Sequence, residues 1–256
     1  MKKQFTLLLT AIMFYTRIPV PKNISFSEEL LNRSTKYFPF MGWIVGGFGA
    51  LIFYASQFIF PISISVLLSM VSTILLTGAF HEDGLADSCD AFGGGWTKEK
   101  ILEIMKDSRI GTYGTVGLIL ILLTKYFCLT SVTVEQIPFV LFAGHALSRY
   151  SATGMIFFSE YARDDAKSKS KPIGKSLSSF DFLISLIFGS TPLLILSIFY
   201  SYWYLLIILT IIPLIFFLKR YFEKWIGGFT GDGLGATQQI SEVIFYLSFI
   251  VISNFV

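Results

Sequence analysis

A dense group of acidic side chains and one imidazole, His81 to Asp90, follows an apolar run of this chain. Asp83, Asp87 and Asp90 are spaced i, i+4 and i+7, so a continuing helix would carry all three on one face. Carboxylate oxygens at this density suit a hard divalent cation, Mg2+ before Zn2+. Because Mg2+ held by carboxylates commonly partners a phosphate-bearing substrate, the group predicts an enzyme that acts on phosphates.

The composition of the chain predicts the class of protein that holds this acidic group. The 256 residues are 54% hydrophobic and only 14% charged, whereas soluble chains average about 25% charged residues. We therefore expect an all-α integral membrane protein, a polytopic helical bundle of about seven spans. The candidate spans lie near residues 38–60, 62–80, 113–131, 138–158, 180–200, 203–218 and 239–256.

Two details refine the spans. The apolar run from Phe182 to Leu218 is too long for one crossing of a hydrocarbon core of about 30 Å, so two helices with a turn near Tyr200 to Tyr204 are predicted. The apolar stretch from Gln4 to Tyr15 imitates a signal peptide, but no small-x-small cleavage site follows it. It is also too short to span, which predicts an interfacial or re-entrant element.

The basic residues give the orientation. All but two of the 20 Lys and Arg fall in segments 1–37, 81–112, 159–179 and 219–238, and the exceptions, Lys125 and Arg149, lie within spans. By the positive-inside rule these segments face the cytoplasm of a multi-pass protein in the cytoplasmic (inner) membrane. We expect one membrane-embedded domain over 1–256. It would consist of an N-terminal segment 1–37 and a bundle 38–256 whose active-site loops, 81–112 and 219–238, face the cytoplasm.

The predicted cytoplasmic loops carry further candidates for phosphate binding. Residues 98–114 read as an amphipathic helix on the membrane surface, with Lys106 and Arg109 near the next span. Arg109 could bind phosphate oxygens in bidentate fashion, or it could snorkel to the interface. Gly93 and Gly94 would let a backbone approach phosphate closely, or form a flexible turn. The basic segment 163–175 is expected to contact anionic lipid.

Two more motifs lie near the same face. His145 and Arg149 share one face of a predicted span, and a buried arginine requires an anion, either an aspartate of the acidic group or a substrate phosphate. The segment Gly227 to Ala236 repeats the Asp-Gly-Leu sequence and adds Asp232 as a carboxylate. A Gly-rich turn before the last helix is the alternative interpretation of that segment.

Taken together, these motifs closely resemble the cobalamin synthase family, the adenosylcobinamide-GDP ribazoletransferases. The resemblance runs from about residue 5 to 242. The motifs that carry it are Phe14 to Pro21, Phe38-Pro39 with Gly42, His81 to Asp90 with the triple glycine, Met105 to Gly114, and Thr230 to Asp232 with Gly235-Ala236. Glu82 stands where the family pattern commonly has an apolar residue, so we do not count it as a primary ligand.

The resemblance implies a Mg2+-dependent step late in cobalamin biosynthesis. The adenosylcobinamide-phosphate moiety would pass from adenosylcobinamide-GDP to α-ribazole or its 5'-phosphate, with release of GMP. A carboxylate would take the hydroxyl proton. The expected site consists of catalytic Asp90, Asp87 and His81, substrate-binding Arg149, Arg109, Lys106, His145, Gly93 and Gly94, and metal-binding Asp83, Asp87, Asp90 and Asp232.

Some properties stay open at this stage. The sequence does not choose between α-ribazole and its phosphate, and it does not identify the base. It does not determine the oligomeric state, and a homo-oligomer is one of the alternatives. The expected partners are the two substrates and membrane lipids, without nucleic acid.

Two other functions are alternatives. A phosphatidyltransferase of the CDP-alcohol type would use similar site logic, but the spacing here lacks the arginine and the longer interval of that family's signature. A cation transporter would carry its acids near the membrane midplane. Because Asp83, Asp87, Asp90 and Asp232 adjoin the ends of spans at one face, chemistry at a surface is favoured.

Overall fold

The computed structural model describes residues 2–21, 27–162 and 174–256, and this part of the chain is helical without a β-strand. The all-α class is therefore confirmed. Most of the basic segment 163–175 lies outside the described residues. The helices are α1 (Lys2–Tyr15), α2 (Glu28–Ser34), α3 (Phe38–Ser56), α4 (Ile62–Thr77), α5 (Phe80–Gly94), α6 (Lys98–Ile104), α7 (Thr112–Thr130), α8 (Ile137–Phe158), α9 (Ser179–Phe199), α10 (Ile208–Ile226) and α11 (Gly231–Ser253), with 3-10 turns at Thr35–Tyr37 and Tyr202–Ile207.

Several helices have the length and apolarity of membrane spans, which confirms the polytopic membrane class. Five stretches in the described residues qualify, or six if the bent pair α4–α5 is one span. The expectation was about seven. Helix α8 is long enough at 22 residues, but it is more polar because His145 and Arg149 interrupt it. The five are Glu28–Ser56, Thr112–Thr130, Ser179–Phe199, Tyr202–Ile226 and Gly231–Ser253.

Helix α8 is mostly buried, and it packs closely against α3. A Cβ on Gly42 would overlap the backbone of His145 and Ala146, and one on Gly46 would press on the Leu141 carbonyl. Small residues let two membrane helices approach to backbone contact. The two glycines of α3 therefore fix the position of the segment of α8 that carries His145.

A sharp corner separates α4 from α5, whose axes differ by 87°. Gly78 ends α4 in the left-handed region, at φ 68°, and Ala79 follows at φ 57°. The Arg17 backbone N–H donates to the Leu76 carbonyl (2.7 Å), and the Arg17 side chain lies against Gly78. The first part of segment 81–112 is the helix that the aspartate spacing indicates, since Phe80 to Gly94 form α5, turned by 87° from α4.

The Gly-rich segment before the last span is also helical. Thr230 caps α11 by accepting a hydrogen bond from the Gly233 backbone N–H (3.0 Å), so the helix begins at Gly231. The predicted span 239–256 starts too late, and the predicted loop 219–238 shrinks to the few residues between α10 and α11. The glycines fold into the helix because they allow it to pack tightly against α5.

The predicted surface helix over 98–114 is shorter than expected. Helix α6 ends at Ile104, and its apolar side packs on the protein rather than on lipid, because Ile101 and Met105 are fully buried. The Thr230 hydroxyl also donates a hydrogen bond to the Met105 sulfur (3.1 Å). By contrast, the turn predicted near Tyr200 is confirmed, since α9 ends at Phe199 and a 3-10 turn leads into α10.

Candidate active site

The aspartate-bearing parts of α5 and α11 pack against each other through their backbones. Asp83 is exposed on α5, and Asp87, one turn later, is half-buried. Gly84 lies between them and packs directly on the start of α11, where an added Cβ would come within 2.9 Å of the Asp232 carbonyl oxygen and 3.2 Å of the Gly235 Cα. The two Asp-Gly-Leu sequences are therefore in backbone contact, and their aspartates border one acidic face.

The donor set of this acidic face suits Mg2+. Within residues 2–21, 27–162 and 174–256, no group of three or more His, Cys, Asp or Glu is gathered closely enough to hold a metal unaided. Mg2+ is usually held by one or two carboxylates, with substrate phosphates and water completing its shell. Asp83, Asp87 and Asp232 carry oxygen donors of that chemical type, and their binding of Mg2+ stays a prediction.

Asp90, the third aspartate of α5, has a different position from the one predicted. One of its carboxylate oxygens accepts the Gly111 backbone N–H (2.7 Å), and the other accepts the Gly114 backbone N–H (2.9 Å). These N–H groups open α7 and have no partner inside that helix. Asp90 therefore caps α7, and the geometry assigns it this structural role ahead of metal binding or proton abstraction.

The triple glycine is not a phosphate loop. Gly93 and Gly94 form the last turn of α5, and the Tyr113 ring fills the space where a Cβ of Gly93 would lie. Gly95 is held in the same way against Ile101 of α6. The prediction that Gly93 and Gly94 approach phosphate is corrected for Gly93, because an aromatic ring already occupies its open face.

Lys106 and Arg109 lie at the surface between α6 and α7. Lys106 is exposed, and the Arg109 side chain, 87% exposed, forms a salt bridge with Asp107 (2.6 Å). Hydrogen bonds donated by Arg109 lower the pKa of the Asp107 carboxyl to about 2. Arg109 is thus already paired, and its predicted contact with phosphate would require exchange of that partner.

Behind α5, inside the bundle, lies a buried polar network that joins α7, α8 and α11. The Lys125 ammonium is 3.2 Å from the Glu242 carboxylate, and both side chains are less than a tenth exposed. Lys125 also donates to Gln239 Oε1 (2.7 Å). Glu242 further accepts from Gln238 Nε2 (2.7 Å) and from the Tyr246 hydroxyl (3.0 Å). The pair is therefore enclosed by hydrogen-bonding groups, as a buried ion pair requires.

His145 and Arg149 belong to this network. The His145 ring nitrogen Nδ1 is 3.5 Å from Glu242, and Arg149 Nη1 donates to the His145 carbonyl (2.9 Å). Arg149 is only 1% exposed. Glu242 and Glu82 line the same cavity as Arg149, whereas the aspartates of α5 do not. The diphosphate contact of Arg149 and His145 stays a prediction, and it requires the donor to reach this interior.

An aromatic stack adjoins the network at Arg149. Tyr15 stacks on Phe38 with ring centroids 4.3 Å apart, and Phe38 stacks on His81 at 5.5 Å. The Arg149 guanidinium lies over the same Phe38 ring at 5.8 Å. Three motifs that are distant in sequence thus meet at one place, and His81 is fully buried there instead of facing the acidic surface.

Comparison with known proteins identifies the family. The family model for cobalamin-5-phosphate synthase matches residues 7–250. The chain belongs to that family. Adenosylcobinamide-GDP ribazoletransferase from Leptospira interrogans is 46% identical over 252 residues, covering 94% of each chain. The protein of that name from Shewanella amazonensis is 45% identical, covering 96% of this chain and 95% of its own. No solved structure matches.

The family relationship confirms the resemblance found in the sequence, but sequence reasoning missed most of the buried network. Lys125 stood out only as an exception to the charge distribution, and Glu242 was not singled out as part of a buried site. Their signal was present, since both are ionisable residues within spans, where such residues commonly mark functional sites. Gln238, Gln239 and Tyr246 carried no such signal, because neutral polar residues are common in helices.

Proposed function

We propose that this protein transfers the adenosylcobinamide-phosphate moiety from adenosylcobinamide-GDP to α-ribazole or α-ribazole 5'-phosphate. GMP leaves, and adenosylcobalamin or its 5'-phosphate forms. The membership of the cobalamin-5-phosphate synthase family over residues 7–250 carries this proposal. The relatives named adenosylcobinamide-GDP ribazoletransferase support it at 41–46% identity over nearly the whole chain.

The acidic face is where we locate the reaction. Asp83 and Asp87 of α5 and Asp232 of α11 would hold Mg2+ together with the diphosphate of the donor. When bound, the metal would neutralise the charge that develops on the diphosphate. The contact between Gly84 and the start of α11 supports this assignment, because it keeps carboxylates from two distant segments at one place.

The chemical step is a displacement at phosphorus. A hydroxyl oxygen of the acceptor forms a bond to the phosphorus that carries the corrinoid, the bond to the bridging diphosphate oxygen breaks, and GMP departs with that oxygen. The hydroxyl proton passes to a carboxylate. Asp87 is the best placed of the predicted catalytic residues, since Asp90 is engaged by the N–H groups of α7 and His81 is buried.

The reaction would take place at the cytoplasmic face of the inner membrane. The distribution of Lys and Arg supports this orientation, because nearly all of them fall in segments on one side of the predicted spans. Neither the family match nor the relatives support the CDP-alcohol phosphatidyltransferase or the cation transporter.

The deciding experiment measures GMP release by the purified protein in detergent, with adenosylcobinamide-GDP and α-ribazole, with and without Mg2+. We expect release that requires the acceptor and the metal. Asp87→Asn should lose nearly all turnover while the protein stays folded. Asp107→Asn is the matched control, since that carboxylate is on the same side of the predicted membrane but pairs with Arg109. Metal-independent release, or full turnover by Asp87→Asn, would contradict the proposal.

A further inference from the structure

The buried network has three unpaired atoms at its end nearest α5. His81 Nε2, Glu82 Oε2 and Arg149 Nε have no hydrogen-bond partner among the described residues. All three side chains line one small cavity, and His81 and Arg149 are 2% and 1% exposed. A buried polar atom that is left without a hydrogen-bond partner destabilises a protein. Three of them around one cavity therefore indicate that a ligand group is bound there during function.

The chemistry of the three atoms specifies that group. Arg149 Nε can only donate a hydrogen bond, the carboxylate oxygen Glu82 Oε2 accepts one, and His81 Nε2 can do either according to its tautomer. The group must therefore both donate and accept. The cavity measures about 20 Å³, which is room for one water-sized group. A phosphate is too large for it, whereas a hydroxyl meets every condition.

The network holds the Glu82 carboxylate in a fixed direction. Gln239 Nε2 donates to Glu82 Oε1 (3.0 Å), and the Oε1 of the same amide accepts from Lys125 (2.7 Å). The charge of Lys125 thus orients the Gln239 amide, which in turn leaves Glu82 Oε2 free to face the cavity. A site prepared in this way binds without first reordering its own side chains.

The position of the cavity relates it to the acidic face. Glu82 precedes Asp83 in α5, and it is half-buried where His81 and Arg149 are fully buried. At Glu82 the cavity therefore adjoins a side chain that is only half-buried. The geometry points to this cavity as the binding site for one hydroxyl group of the nucleoside acceptor, an inference that rests on the proposed function. The other source of the same chemistry is a permanently bound water molecule.

The test is Glu82→Gln, which keeps the size of the side chain and an oxygen for Gln239 but turns the free acceptor into a donor. We expect the KM for α-ribazole to rise about ten- to a hundredfold, because a site built to bond a hydroxyl discriminates strongly. The KM for adenosylcobinamide-GDP should stay unchanged. Glu103→Gln is the matched control, since that glutamate is 70% exposed on α6. An unchanged KM for α-ribazole in Glu82→Gln would overturn the inference and leave the cavity to water.

Two further measurements keep the inference testable if Glu82→Gln folds poorly. Analogues of α-ribazole that each lack one ribose hydroxyl can be assayed with the unaltered protein, and at least one should bind at least tenfold more weakly. Equal binding of all analogues would overturn the inference. Thermal stabilisation by α-ribazole alone separates the two proposals. Stabilisation that is equal in wild type and Glu82→Gln refutes only the cavity assignment, whereas a wild type that is neither stabilised nor active refutes the proposed function.

Discussion

The buried pair of Lys125 and Glu242 allows a sharp prediction about stability. Lys125→Met would leave the Glu242 carboxylate buried without its main cation. Such a loss costs about 3–5 kcal/mol, and we expect the lower end because Gln238 and Tyr246 still donate hydrogen bonds to Glu242. Glu242→Gln should lower the free energy of unfolding by a similar amount. Lys125 would then contact only the Gln239 oxygen and the neutral amide of the substituted side chain. The double variant removes both charges. Its loss of unfolding free energy should therefore be smaller than the sum of the two single losses, by about 2 kcal/mol or more.

The measurement is the free energy of unfolding in mixed detergent micelles, followed by tryptophan fluorescence, for the two single variants and the double variant. The exposed pair Lys100–Glu103 is the matched control. Its atoms are 3.1 Å apart, close to the 3.2 Å of the buried pair, but its side chains are 54% and 70% exposed. Exposed pairs contribute about 0.2–1 kcal/mol. Equal coupling energies for the two pairs would refute the argument that burial makes the inner pair important.

Three other outcomes follow from the structure. Asp90→Ala should lower the free energy of unfolding by about 1–2 kcal/mol through loss of the α7 cap, and a changed Mg2+ dependence of GMP release would instead make Asp90 a ligand. Arg149→Ala should lower kcat/KM for adenosylcobinamide-GDP about ten- to two-hundredfold; an unchanged kcat/KM with reduced thermal stability would leave it a structural partner of His145. Single cysteines at Glu135 and Lys100 should react with impermeant reagents from opposite sides, and labelling from one side would refute the topology.

Much of the fold was predictable because it depends on local patterns. The i, i+4, i+7 spacing of the aspartates predicted the helical face that carries Asp83 and Asp87. The length of the run from Phe182 to Leu218 predicted a turn near Tyr200, since one helix of that length exceeds the bilayer. Both predictions need only the helix repeat and the membrane thickness. These two quantities do not depend on which other segments a helix packs against.

The errors arose where contacts between distant segments decide the conformation. Glycines usually indicate loops, but Gly84 and Gly235 lie in helices whose backbones touch, and Gly93 accommodates the Tyr113 ring. Asp90 looked equivalent to Asp83 and Asp87 in sequence, yet only the position of α7 reveals that it caps another helix. The spacing of residues in the sequence indicates none of these contacts, because each contact depends on which helix packs against the residue in question.

Helix α5 connects the acidic face to the buried network. Successive residues of a helix point about 100° apart, so Glu82 can face the interior cavity while Asp83, the next residue, lies exposed at the surface. The left-handed pair Gly78-Ala79 and the contact of Arg17 with Gly78 set the direction of the helix. A shift of this corner would therefore move the carboxylates proposed to bind metal and the proposed hydroxyl site together. Arg17 would thus influence both proposed sites through the corner that it contacts, although it does not line the cavity.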